Sequence, residues 1–297
     1  MSFKSAFIAL IGLPNTGKST LLNQIFHKKI AIVSNKPQTT RNAIRGILNN
    51  PDYQLVFIDT PGIHDPQDEF GRLLNRESFS NIEGSDIIYF FIDASKPMRR
   101  KQVEVLERIE KDYPDIPLFG IVNKIDLISK PELIPILMHL SQLAHFDELI
   151  PISALENENL DKLLEITLDY APQGPAFFNE MDEVDYTISF QMAEIIREKV
   201  LFLTKEELPH HTGVIIEEID KQGDDWMVYA KIVVSKDSHK PILIGKQGQM
   251  IQKIRQMSQR ELRKTFNKNI DLELFVGVEK DWRNTPRTLK ELGYLDE

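Results

Sequence analysis

The chain has 297 residues, enough for two hydrophobic cores of ordinary size, and its 41% hydrophobic and 27% charged content is too apolar for a disordered chain. It contains no cysteine, which excludes disulfides, thiolate metal sites and a cysteine nucleophile and fits a reducing cytoplasm. A formal charge of -9 disfavours indiscriminate contact with nucleic acid, so any such contact has to come from a local basic face.

Lys4 precedes the first apolar run, residues 6–13, which is too short to span a bilayer and is followed by no small-residue cleavage site. No other run of about 18 apolar residues appears, so a membrane-spanning helix is not expected. The stretch FIALIGLPNTGKSTLLNQIF predicts a buried strand over residues 7–11, a tight loop, and an amphipathic helix from Gly17 with Leu21, Leu22, Ile25 and Phe26 inward. The loop, Gly12-x-x-x-x-Gly17-Lys18-Ser19, has the spacing of a P-loop. Glycine lets the backbone curl until successive N–H groups converge on phosphate oxygens, the helix N-terminus adds positive potential, and Lys18 reaches the outer phosphates. Pro14, Asn15, Thr16 and Thr20 complete the expected cradle, and Ser19 is the expected ligand of Mg²⁺.

Next comes SNKPQTTRNAIRG, polar and strand-poor, with Thr39 and Thr40 adjacent. A second apolar strand, LVFIDTPG, ends in Asp59 and Gly62, spaced for a carboxylate that holds Mg²⁺ through water and a backbone N–H that meets a terminal phosphate. Ile63 follows Gly62 and cannot position a water, so slow intrinsic hydrolysis is expected. A third strand, PLFGIVNKIDL, ends in Asn123-Lys124-Ile125-Asp126. The Asp126 carboxylate can accept from N1–H and the exocyclic amine of guanine, which adenine does not offer, so a site built on it takes GTP or GDP and rejects ATP. In ELIPISAL, Ser153, Ala154 and Leu155 follow another strand, where their backbone N–H groups can meet the guanine carbonyl.

In this order GLPNTGKS, DTPG, NKID and SAL resemble the signature of the translation-factor-related GTPases, over about the first 170 residues. The resemblance implies that a threonine of the polar loop joins Mg²⁺ only when GTP is bound, Thr40 being preferred to Thr39, and that hydrolysis releases the loop. It also gives Asn15 a second reading. Some related GTPases use this asparagine to hold K⁺ in place of an arginine finger; the alternative is a good turn residue.

The helix NLDKLLEITLDYA closes this domain, and APQGPAFFNEMD, with two prolines and a glycine, reads as a linker. Beyond it come a helix with Ile188, Met192, Ile195, Ile196, Val200 and Leu203 on its apolar face, a hairpin of strands at 214–219 and 227–235, and a helix at 249–266. The final strand is LELFVGV. Before the 249–266 helix stands Gly245-Lys246-Gln247-Gly248, a turn with no β-carbons at its ends to block a single-stranded backbone. Lys246 can neutralise phosphate, and Ile242, Leu243 and Ile244 can line a groove for bases. Residues 236–268 hold nine Lys or Arg, Lys253 among them, against two acidic residues, a local charge of +7.

The order helix-strand-strand-helix-helix-strand around Gly-x-x-Gly is similar to a type II KH domain. The expected fold is therefore an α/β P-loop NTPase domain of Ras-like type with a mostly parallel sheet over 1–172, a linker over 173–186, and an α+β type II KH domain with a tail over 187–297. The whole chain resembles the Era family of GTPases, including TKEELPHHTGVIIEEI, SHKPILIGKQGQMIQKI and KDWRNTPRTLKELGY. That resemblance implies GTP-promoted binding of the 3′ end of 16S ribosomal RNA, a role in 30S subunit assembly, and a weak peripheral association with the inner face of the cell membrane. The alternative is an RNA-binding module that senses nucleotide without physiologically relevant hydrolysis. His210 and His211, with no partner at metal spacing, read as structural or solvated rather than as ligands, Trp226 and Trp282 read as packing residues with stacking on bases as the alternative, and no heptad seam suggests anything but a monomer.

Overall fold

The computed structural model describes residues 2–34, 36, 38–205 and 208–294. Contacts divide the chain into two units, one of Met1–Pro66 with Gly71–Asp185, the other of Gln67–Phe70 with Tyr186–Glu297.

In the first unit β1 (Lys4–Gly12) leads into α1 (Lys18–Ile25), followed by β2 (Ile44–Asn50), β3 (Tyr53–Asp59), α2 (Glu69–Ser80), β4 (Ile87–Asp93) and α3 (Arg100–Asp112). The chain then forms β5 (Leu118–Asn123), α4 (Lys130–Leu143), β6 (Glu148–Ile152) and α5 (Leu160–Tyr170). The strands order as β2-β3-β1-β4-β5-β6, all parallel except β2, which runs antiparallel to β3. Strands β4 and β5 are buried at every residue, as expected of near-continuous apolar runs covered by helices on both faces. Loops that follow the carboxyl ends of β1, β3, β5 and β6 carry the four GTPase motifs, the usual ligand edge of an open parallel sheet.

Residues 173–185 belong to this unit and are built into its edge. The Gln54 side chain, fully buried, accepts from the Phe177 and Phe178 amides at 2.7 and 2.9 Å and donates to the Phe178 carbonyl. Phe177 lies 4.4 Å from the Phe7 ring, and Ile47 N donates to Glu183 O, with a bridge between Gly46 and Val184. Asp185 pairs with Arg45 at 2.8 Å. The segment thus runs along β2 as a strap, covering a strand edge that would otherwise expose unpaired backbone groups.

The second unit contains α6 (Ile188–Leu203), β7 (Thr212–Gln222), β8 (Asp225–Val234), α7 (His239–Ile244), α8 (Gln249–Phe266), β9 (Asn269–Val278) and α9 (Pro286–Glu291). Its sheet is β7-β8-β9, antiparallel then parallel. The hairpin is longer than its apolar alternation suggests, because β7 continues through exposed Glu217, Glu218, Asp220 and Lys221 after a bulge at Ile216/Glu218. Met192, Ile196, Val200, Leu243, Ile254 and Leu262 pack on Val228, Ala230, Ile232 and Leu272 to form the core. The core includes Leu243, which therefore does not line a groove for bases; neighbouring Ile242 is 55% exposed. Trp282 is fully buried, its indole N–H on the His211 carbonyl, and has a packing role.

Candidate nucleotide and nucleic-acid sites

The P-loop is shaped by two residues in left-handed backbone, Asn15 at φ 63° and Gly17 at φ 105°. A β-carbon at Gly17 would stand 2.0 Å from the Asn123 amide, so glycine is required by both conformation and space. Thr16 is buried and turns its hydroxyl onto the Leu13 carbonyl. Lys18 Nζ donates to the carbonyls of Gly12 and Leu13 at 3.3 and 3.2 Å. Burial lowers this ammonium to about 8, against the pull of Asp59. The two carbonyls and Asp59 compensate its charge only in part.

Behind Lys18, Ser19 Oγ donates to Asp59 Oδ2 at 2.6 Å and lies 3.0 Å from Thr40 Oγ1. Asp59 is fully buried, and burial raises its carboxyl despite Lys18, Ser19 and Thr40. Its other oxygen, Oδ1, is buried with no hydrogen-bond partner among the described residues. Two hydroxyls and a carboxylate with an uncommitted buried oxygen form a hard-oxygen set that fits Mg²⁺. Thr40, not Thr39, is the threonine in this set, since Thr39 Oγ1 donates to Lys36 O at 2.6 Å.

At the other end, Asn123 Nδ2 donates to Thr16 O at 2.8 Å and Asn123 Oδ1 accepts from Ala154 N at 2.9 Å, tying three loops together. Lys124 Nζ reaches both Asn15 O and Asp93 Oδ2 at 2.7 Å. Asp93 ends β4, and although burial alone would raise its carboxyl, hydrogen bonds from Lys124, Ser95 and Lys96 hold it at about 2. Ser153 Oγ donates to Asp126 Oδ1 at 2.6 Å. Of the three amides expected to meet the guanine carbonyl, Ser153 N donates to Glu158 O and Ala154 N to Asn123 Oδ1. Leu155, 68% exposed, presents the one that remains.

Pro14, Asn15, Gly17, Lys18, Ser19, Thr20, Thr40, Gly62, Asn123, Lys124, Asp126, Ala154 and Leu155 line one cleft. Gly12, Thr16, Asp59 and Ser153 are buried and do not line it. A β-carbon on Gly62 would meet Pro14 at 2.7 Å, which fixes how closely the two loops approach. The sequence reading missed Ile32, Val33, Gln38 and Leu127, which also line the cleft, and Asp93, whose only sequence signal is an apolar strand ending in a carboxylate, as at Asp59.

In the second unit Gly245 (φ 72°) and Gly248 (φ 78°) flank exposed Lys246 and Gln247, the latter also left-handed at φ 52°. Helix α7 ends at this turn and α8 starts from it, so its backbone stands clear between two helix ends. Lys246 and Lys253 are exposed, and Ile242 and Ile244 flank the buried Leu243. His210 and His211 lie in a 3₁₀ turn, and no cluster of metal-ligating side chains occurs among the described residues.

A family model described as 50S ribosome-binding GTPase matches residues 7–124, and a KH-domain model matches 207–283. GTPase Era of Ruminiclostridium cellulolyticum is 44% identical over 99% of this chain and 98% of its own length, and that of Clostridium acetobutylicum is 39% identical over 98% of each. Among solved structures, Era in complex with MgGDPNP and nucleotides 1506–1542 of 16S ribosomal RNA superposes with a TM-score of 0.95 at 35% identity, covering 99% of this chain and 100% of that one. A point variant of Aquifex aeolicus Era bound to GDP and AlF₄⁻ gives 0.93 at 34% identity with the same coverage. With a P-loop cleft in one unit, a KH fold in the other and a relative 44% identical over 99% of the chain, the chain belongs to the Era family of GTPases.

Proposed function

We propose that this GTPase is a nucleotide-controlled switch that binds the 3′ end region of 16S ribosomal RNA through Gly245-Lys246-Gln247-Gly248 and acts in assembly of the 30S subunit. The observation that carries the reading is the exposed, left-handed Gly-x-x-Gly turn between α7 and α8, set in a segment of local charge +7 within a chain of -9. The relative crystallised with nucleotides 1506–1542 supports the choice of RNA. Ile242, Ile244 and Lys253 flank the turn and contact bases and phosphates in this reading. The test is competition between a single-stranded 3′-end RNA and a permuted sequence of equal length, for the wild type and Lys246→Asp. Sequence-independent binding, or binding indifferent to Lys246, would defeat the proposal.

In the nucleotide cleft, Ser19 and Thr40 hold Mg²⁺ directly, Asp59 supports it through water, and Asp126 with the Leu155 amide reads guanine. Bound Mg²⁺ neutralises charge on the phosphates. Asn15 holds K⁺ in the same proposal; equal hydrolysis in sodium and potassium buffers would remove that part. Among the described residues no helix is long and apolar enough to cross a bilayer.

A further inference from the structure

The position after Gly62 belongs to Ile63, whose side chain is 1% exposed in the core beside Ala9, Ile11 and Phe90 and whose N–H donates to Gly12 O. It cannot hold a water, yet hydrolysis needs one aligned on the γ-phosphorus. Among the carboxamides that line the cleft, Asn123 is engaged with Thr16 and Ala154, and Asn15 sits in the P-loop next to Lys124. Gln38 differs from both. It stands two residues before Thr40, on the loop that senses the terminal phosphate, and lines the cleft from a left-handed backbone at φ 56°. Non-glycine residues in that conformation cluster at functional sites.

The Gln38 side chain is not left to itself. Its Nε2 lies 2.8 Å from His64 Nε2, while His64 Nδ1 lies 3.1 Å from the Gly62 carbonyl. An amide nitrogen can only donate, so His64 Nε2 accepts, which puts the ring proton on Nδ1, where it donates to Gly62. One neutral tautomer satisfies both contacts. The His64 backbone is held in turn by Asn75, which accepts from its N–H at 3.2 Å and donates to its carbonyl at 2.7 Å. The carboxamide oxygen carries two lone pairs and can accept a hydrogen bond from a water.

We propose that Gln38 orients the attacking water through its amide oxygen, and that His64 is the positioning residue that sets the amide's direction. In the step, the water oxygen bonds to the γ-phosphorus as the bond to the β–γ bridging oxygen breaks. GDP leaves with that oxygen, and the water's protons end on inorganic phosphate. Gln38 takes no proton. The loop that binds only in the GTP state thus brings its own replacement for the missing glutamine after Gly62. The inference rests on the GTPase activity of the family and on no part of the RNA reading.

The test is GTP hydrolysis by the full chain as wild type, Gln38→Leu, His64→Leu and the double variant, with GTP-analogue and GDP affinities and formation of the GDP–AlF₄⁻ complex measured beside it. Gln38→Leu should lower kcat on the order of 10- to 100-fold with KM within about twofold, and weaken GDP–AlF₄⁻ formation in parallel. His64→Leu should lose part of that, and the double variant should match Gln38→Leu because one residue acts through the other. Unchanged hydrolysis in Gln38→Leu, or a loss of GTP affinity as large as the loss of rate, would overturn the assignment. Multiplying losses in the double variant would overturn the role of His64.

Discussion

The hydroxyl of Ser153 donates to Oδ1 of Asp126 at 2.6 Å, so the carboxylate proposed to read guanine is held by the loop after β6. Removing that hydroxyl lets the carboxylate turn. Ser153→Ala should weaken GDP binding about 10-fold, roughly the 1.4 kcal/mol of one charge-assisted hydrogen bond. Titration with a fluorescent GDP analogue measures it, and an affinity within twofold of wild type would count against this coupling.

Lys18 is lowered to about 8 from the usual lysine value by burial. Between that value and the ordinary one near 10.5 the unfolded chain binds more protons than the empty folded one, so the stability of the nucleotide-free protein should rise with pH through this window. Phosphate reverses the shift. Binding of GDP at pH 8.5 should therefore take up protons, seen by calorimetry in two buffers of different ionisation enthalpy. A binding enthalpy independent of buffer would contradict the account.

Gly17→Ala places a methyl 2.0 Å from the Asn123 amide in a backbone at φ 105°. Nucleotide binding should fall below detection, and stability should drop by about 2 kcal/mol or more, read from thermal denaturation.

Gln54 holds the strap through three hydrogen bonds, to the Phe178 carbonyl and the Phe177 and Phe178 amides, and donates a fourth to Asn49 on β2. Gln54→Ala leaves two backbone amides without their acceptor, at a cost of about 2 to 3 kcal/mol. Limited proteolysis should then cut first between residues 175 and 182. Cleavage no faster than in wild type would show that the other contacts, Phe7 with Phe177, Ile47 with Glu183 and Arg45 with Asp185, hold the strap without Gln54.

The contrast between Lys18 and Gln38 shows what the sequence makes legible. Gly12, Lys18 and Ser19 act through their spacing on a strand, loop and helix that are contiguous in the chain, so periodicity and motif expose them. The helix at 249–266 was legible for the same reason. Gln38 meets His64, Asp93 meets Lys124, and Gln54 meets Phe177 only because the sheet brings distant segments together. Leu243 was misread because a run of three apolar residues does not say which of them a single helical turn sends inward. The prolines and glycine of the strap mark the absence of a helix equally well for a linker and for an extended segment paired at a sheet edge.

In the proposed switch, nucleotide bound by the first unit governs RNA binding by the second. The most direct measurement is the affinity of the full chain for a short single-stranded RNA from the 3′ end of 16S ribosomal RNA, with a non-hydrolysable GTP analogue and with GDP, for the wild type and Lys246→Asp. The account predicts tight binding with the analogue, weaker binding with GDP, and loss of binding in the variant. Equal affinity in the two nucleotide states would contradict it.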